Sequence, residues 1–161
     1  MYNIEDKSAA SRSLSRLMKM AGLGTDKDSI KAVQRDAGLG ETGIVDYVTY
    51  LEIWHIYRVK SNIDRIRRRY PDASLPIRVG DVGDDVRGLN NALILLMARY
   101  GKYSTVRAGE VFTKSGLSAV EELSEVYRIP FVGEVGEELY FRLLYDRERL
   151  LSDKNISHLF E

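Results

Sequence analysis

His55 and His158 are the only imidazoles in this 161-residue chain, and cysteine is absent. Thiol nucleophiles, thiolate metal sites and disulfides are thereby removed, and two histidines are too few for an imidazole-rich metal centre. Nucleophilic catalysis needs an oriented base and an oxyanion donor beside the nucleophile. Neither histidine sits in a Gly-x-Ser-x-Gly or His-Glu-x-x-His setting, and His55, next to Trp54, reads as a helix-surface or interface residue. Glu121 with Glu122 and Glu137 with Glu138 invite comparison with the paired carboxylates of glycosidases. Neighbours on a helix diverge by about 100°, so neither pair flanks one glycosidic bond, and solvated helix faces account for them. The expectation is therefore no catalytic residue, no metal site and no cofactor.

Binding chemistry is better represented. The chain holds ten tyrosines and one tryptophan, and Tyr47, Tyr50, Trp54 and Tyr57 recur at helical spacings. Aromatic faces pack on the C–H faces of sugars and on apolar side chains alike. Core packing is the competing reading, favoured for Tyr50, Trp54 and Tyr140. "RIRRRY", residues 65 to 70, sets Arg65, Arg68 and Arg69 along a helix, as an anion-binding patch or, by preference, a solvated linker helix. The 24 basic and 24 acidic residues cancel. No nucleic-acid partner is expected, and any charge-driven function must be local.

These residues need helices to position them. Ala9, Leu14, Leu17 and Met18 recur at spacings of three and four until Gly22 and Gly24 stop the run, and Thr25 or Asp28 can cap a second helix bearing Ile30, Ala32 and Val33. A third helix is expected to bury Val48, Leu51, Ile53, Trp54 and Tyr57, turning basic before Pro71 closes it. "YPDASLP", residues 70 to 76, reads as a domain junction. A fourth helix carries Leu89, Leu93, Leu96 and Met97, a fifth Leu117, Val120 and Leu123, and a sixth Leu139, Leu143 and either Leu144 or Tyr140. Residues 103 to 116 read as loop or short strand. The pattern of helices and glycine turns occurs twice, which suggests a weak internal duplication. Units of about 60 residues are marginal alone, so the two are expected to dock or to share a long linking helix.

The second half resembles the type 1 peptidoglycan-binding domain, a small three-helix module. Ile77, Gly80, Gly83, Val86, Leu89 and Asn90 fill that family's opening helix motif in order. Phe112, Ala119, Val120, Leu123, Ile129, Gly133, Gly136 and Tyr140 follow without a gap. Gly109, Glu110, Thr113, Gly116, Val132 and Leu139 depart from the family's Asp-Gly and Thr positions. The first half is a fainter copy, carried by Val33, Gln34, Gly38, Leu39, Gly43, Thr49 and Tyr50.

The resemblance implies an all-α fold of two small three-helix peptidoglycan-binding-domain-like units: residues 1–58, a helical, Pro-containing linker over 59–76, a second unit over 77–147 and a tail over 148–161. It implies a non-catalytic protein binding bacterial peptidoglycan, through glycan strands or stem peptides. The ligand groove is expected near Asp84, Asp85, Arg87, Phe112 and Thr113, with a second interaction surface around Tyr47, Trp54, Tyr57, Arg65, Arg68 and Arg69. The alternative is a structural or adaptor protein of a phage particle, secretion machine or spore layer, using the scaffold for protein partners or self-association. No stretch approaches the roughly 18 apolar residues of a membrane span, and the N-terminus lacks a signal-peptide core. The chain reads as soluble and, from Met1, as full-length. The resemblance makes it wall-associated, or virion- or spore-associated.

Overall fold

A computed structural model describes residues 9–102 and 105–153. Among them the fold is all-α, with six helices: α1 (Ala9–Ala21), α2 (Lys27–Asp36), α3 (Tyr47–Arg67), α4 (Asp84–Arg99), α5 (Lys114–Tyr127) and α6 (Glu137–Ser152). None is long and apolar enough to cross a membrane. The chain divides into two compact units, Met1–Asp64 and Arg65–Glu161. The division falls within α3, so residues 59–64 close the first unit and 65–76 open the second, where the sequence suggested a separate linker. The expected tail is still helix through Ser152, and residues 154–161, with His158, lie outside the described residues.

In the first unit Leu14, Met18, Ile30, Val33, Val45 and Ile53 form one buried cluster. Each such side chain contributes about 1.5–3 kcal/mol by leaving water. Asp26, rather than Thr25 or Asp28, caps α2: its carboxylate accepts from the Ser29 amide at 2.9 Å. The loop into α3 is held by a buried amide. Gln34 is 1% exposed, its Oε1 accepts from the Gly43 N–H, and its Nε2 lies 2.9 Å from the Ile44 carbonyl and 3.1 Å from the Thr42 and Thr49 hydroxyls.

The second unit packs α4 and α5 against each other and α4 against α6. Val86, Leu89, Leu93, Leu96 and Met97 supply the α4 face, and Leu139, Tyr140, Leu143 and Leu144 the α6 face, all buried as their spacing predicts. Two antiparallel bridges, Ile77 with Val135 and Val82 with Val111, tie the loops together. The turn before α4 places Gly80 at φ 98° and Gly83 at φ 151°, conformations that glycine adopts without a Cβ clash.

The two units share a numbering register. Residues of α2, its loop and α3 correspond to residues of α5, its loop and α6 at a constant offset of 90 in the numbering. Gly38 (φ 71°) and Arg128 (φ 55°) both occupy the left-handed region, and Leu39 N–H donates to the Gln34 carbonyl as Ile129 N–H does to that of Ser124. Val45 and Val135 are both fully buried, as are Ile53 and Leu143.

Candidate binding groove

The residues that the resemblance assigned to wall binding lie in the second unit, where most of them are engaged with neighbouring groups of that unit. Gly80 N–H donates to the Phe112 carbonyl, Phe112 N–H to Asp81 and Gly83 N–H to Glu110, at 2.9–3.0 Å. The glycine turn and the loop before α5 are thereby zipped together where a ligand groove was expected between them. Phe112 is fully buried, a core side chain whose ring lies against Gly116, and it is unavailable to a surface ligand. Thr113 caps α5 by accepting from the Gly116 amide. Asp85 accepts from the Ser74 amide at 2.9 Å and from the Tyr140 hydroxyl at 3.3 Å. Burial first, and then this carboxylate, push the Tyr140 phenol above its ordinary range. Arg87 pairs with Glu110 and, at 3.1 Å, with the exposed Asp84.

Two of the three arginines singled out in "RIRRRY" face α6. Arg69 meets Glu148 at 2.8 Å and Arg65 approaches it at 4.0 Å, while Arg68 is exposed. Arg67, which sequence reasoning passed over, pairs with Glu137 at 2.7 Å and lies over the Phe141 ring, 5.4 Å from its centroid. The end of α3 and the chain after it thus cover the α6 face made by Glu137, Phe141 and Glu148.

The first unit differs. Of the apolar face expected on α3, only Ile53 is buried; Val48, Leu51 and Trp54 are exposed, and Tyr57 is half-buried. The helix carries a second face: Thr49 and Ile53 turn inward, so the residues one position along turn out. Tyr47, Tyr50, Trp54 and Tyr57 line a groove of about 710 Å³ together with Leu17 and Met20 of α1. Trp54 and Tyr57 pack with ring centroids 5.4 Å apart. The groove gathers Tyr47, Trp54 and Tyr57. Tyr50 joins them, with the exposed Arg16 and with Leu17 and Met20, whose spacing on α1 could have signalled a second apolar edge. Asp46, the one acid in its lining, accepts from the Thr49 amide at 2.8 Å, chiefly the bond that holds its carboxyl below the usual range.

Lys102 pairs with Glu122 at 2.9 Å and Glu121 and Glu138 are exposed, as is His55. Asp146, 8% exposed, lies among Arg142, Arg149 and Tyr127, and burial followed by that carboxylate pushes the Tyr127 phenol upward. Among the described residues no three acids or histidines converge on a possible metal position. The chain matches no protein-family model, no curated protein and no solved structure in comparisons with each.

Proposed function

We propose that the chain is a non-catalytic adaptor that binds protein through the first unit. The supporting observation is the groove itself: Tyr47 is 74% and Trp54 41% exposed on a helix whose other face closes a fully buried core. A contiguous apolar surface of this kind on a small unit marks an interaction site, and tyrosine and tryptophan are the side chains that most often anchor protein interfaces. The polar residues that the wall-binding reading would use in the second unit are spent on caps and ion pairs, which favours the adaptor over peptidoglycan as ligand.

The test is a photo-cross-linking residue at position 47, combined with sedimentation against insoluble peptidoglycan sacculi. The adaptor reading expects a discrete protein adduct and no co-sedimentation. Saturable sedimentation that Trp54→Ala abolishes would overturn it in favour of wall binding through the same aromatic surface.

A further inference from the structure

α1 has its own counterpart in the second unit. Gly22 (φ 78°) and Gly101 (φ 64°) end α1 and α4 in the left-handed region, and Leu23 N–H donates to the Met18 carbonyl as Lys102 N–H does to that of Met97, both at 2.9 Å. Gly101 against Gly22 sets α4 on α1 at an offset of 79, and buried Ser11, Leu14 and Met18 then match buried Asn90, Leu93 and Met97. The offset is smaller than that of the later helices because residues 100–113 join α4 to α5, whereas residues 22–26 join α1 to α2. Carried to the start of the helix, it places Glu5 and Asp6 on Asp84 and Asp85, and residues 1–4 on 80–83. In the second unit Asp85 accepts from the Tyr140 hydroxyl, and Tyr140 is 1% exposed. The counterpart of Tyr140 is Tyr50, which lines the groove and is 36% exposed.

We infer that residues 1–8, which lie outside the described residues, are the resident occupant of the Tyr47 end of the groove: residues 5–8 continue α1 by one turn, Asp6 accepts from the Tyr50 hydroxyl, and a protein partner gains Tyr47 and Tyr50 by displacing them. The inference rests on the adaptor reading and adds what governs access to its site. Three observations join the register in carrying it. First, α1 has no acid in its first turn, whereas α4 opens with Asp84 and Asp85. Asn3, Glu5 and Asp6 supply a cap and two acids for the positive end of the helix dipole. Second, α1 and α3 run the same way: Gly22, at the end of α1, lies beside the Lys60 side chain, while Ala10, at its start, lines the groove with Tyr47. The chain before α1 therefore departs from the Tyr47 end. Third, residues 80–83 are held by 110–112 in the second unit, and the short connection between α1 and α2 holds no counterpart of 110–112. The exposed Tyr47 is then the apolar surface within reach of Tyr2 and Ile4, which share a side of extended chain. Four extended residues reach about 13 Å, enough to turn back over it. Lys7 replaces the buried Val86, a place its aliphatic stem can cover while the ammonium stays in water.

The experiment uses the pure full chain. A photo-cross-linking residue at position 47 should form an intrachain adduct that mass spectrometry maps to residues 1–8. Nitration of Tyr50 by tetranitromethane should be about fivefold or more slower in wild type than in Asp6→Ala, which loses the acceptor and its cover. Asp6→Asn, which keeps an oxygen for the hydroxyl, should restore part of the protection, with buried Tyr140 in the same digest as the internal reference. Amide exchange should find the N–H groups of residues 9–12 protected in wild type, because the further turn supplies their carbonyl partners, and less so in Asp6→Ala. Circular dichroism checks that each variant keeps the fold.

Adducts at position 47 confined to a second copy overturn the inference, as does nitration of Tyr50 at one rate in all three chains. Unprotected amides at residues 9–12 in wild type overturn it too. If these tests fail while position 47 still yields an adduct with a partner protein, the N-terminal cover falls and the adaptor stands. Trp54-dependent binding to sacculi removes the adaptor and, with it, the gating of a protein partner.

Discussion

Gly38 and Arg128 hold the same left-handed backbone position at the ends of α2 and α5, at φ 71° and 55°. In each, the next residue's N–H reaches back to close the helix. Arginine tolerates this region at a cost that glycine avoids. Arg128→Gly should therefore stabilise the protein by about 0.5–1 kcal/mol, and Gly38→Ala should destabilise it by about 1 kcal/mol. Urea denaturation of the two variants measures both signs.

Gln34 ties residues 42 to 49 to α2 through side-chain hydrogen bonds. Gln34→Ala leaves the Gly43 N–H without its partner and the Ile44 carbonyl with only the longer bond from the Thr42 hydroxyl, and an unmet group out of reach of water costs about 1–3 kcal/mol. We expect a loss of about 2–4 kcal/mol, with amide hydrogen exchange accelerating first at Gly43 and its neighbours. Protection there equal to wild type would show that the amide contributes little.

Two helical glycines should answer the same substitution in opposite ways. A Cβ at Gly116 would stand 2.7 Å from the Phe112 ring, which is fully buried, whereas one at Gly88 meets nothing within 4 Å. Gly116→Ala should lose about 1–3 kcal/mol through overpacking, and Gly88→Ala should gain up to about 1 kcal/mol from helix propensity. Thermal melting ranks them.

Acid should loosen the first unit through its caps. The Ser29 amide holds the Asp26 carboxyl, and the Thr49 amide that of Asp46, below the usual range. Because the folded values are depressed, their stabilisation is complete above the unfolded carboxylate range near pH 4 and is lost as pH falls through the folded values. Melting temperature should therefore drop below about pH 4. Asp26→Asn with Asp46→Asn, which keeps an oxygen for each amide, should show a shallower drop over that interval; an unchanged slope would assign the acid sensitivity to other groups.

The helices were legible because their ends are written in glycine and their faces in spacing. Leu89, Leu93, Leu96 and Met97 recur on α4, and Leu139, Leu143 and Leu144 on α6, and all are buried. The face of α3 was misread for a physical reason. It carries apolar residues on two sides, and periodicity says which residues share a side without saying which side a neighbouring helix covers. Phe112 was misplaced for a related one: an aromatic in a loop looks available, but backbone pairing of that loop with the glycine turn draws its ring inward. The structural weight of Arg67 depends on Glu137 and Phe141, seventy residues and more away in sequence, a relation that no local pattern records.

The exchange of Glu148 for Arg58 between the two copies bears on solubility at high concentration. Had both faces kept the glutamate, the basic end of α3 that covers one unit would also fit the other unit of a neighbouring molecule. Such a head-to-tail contact gives a ring where its rotation closes and a filament where it does not. With arginine at that place cation would meet cation, which disfavours such a contact.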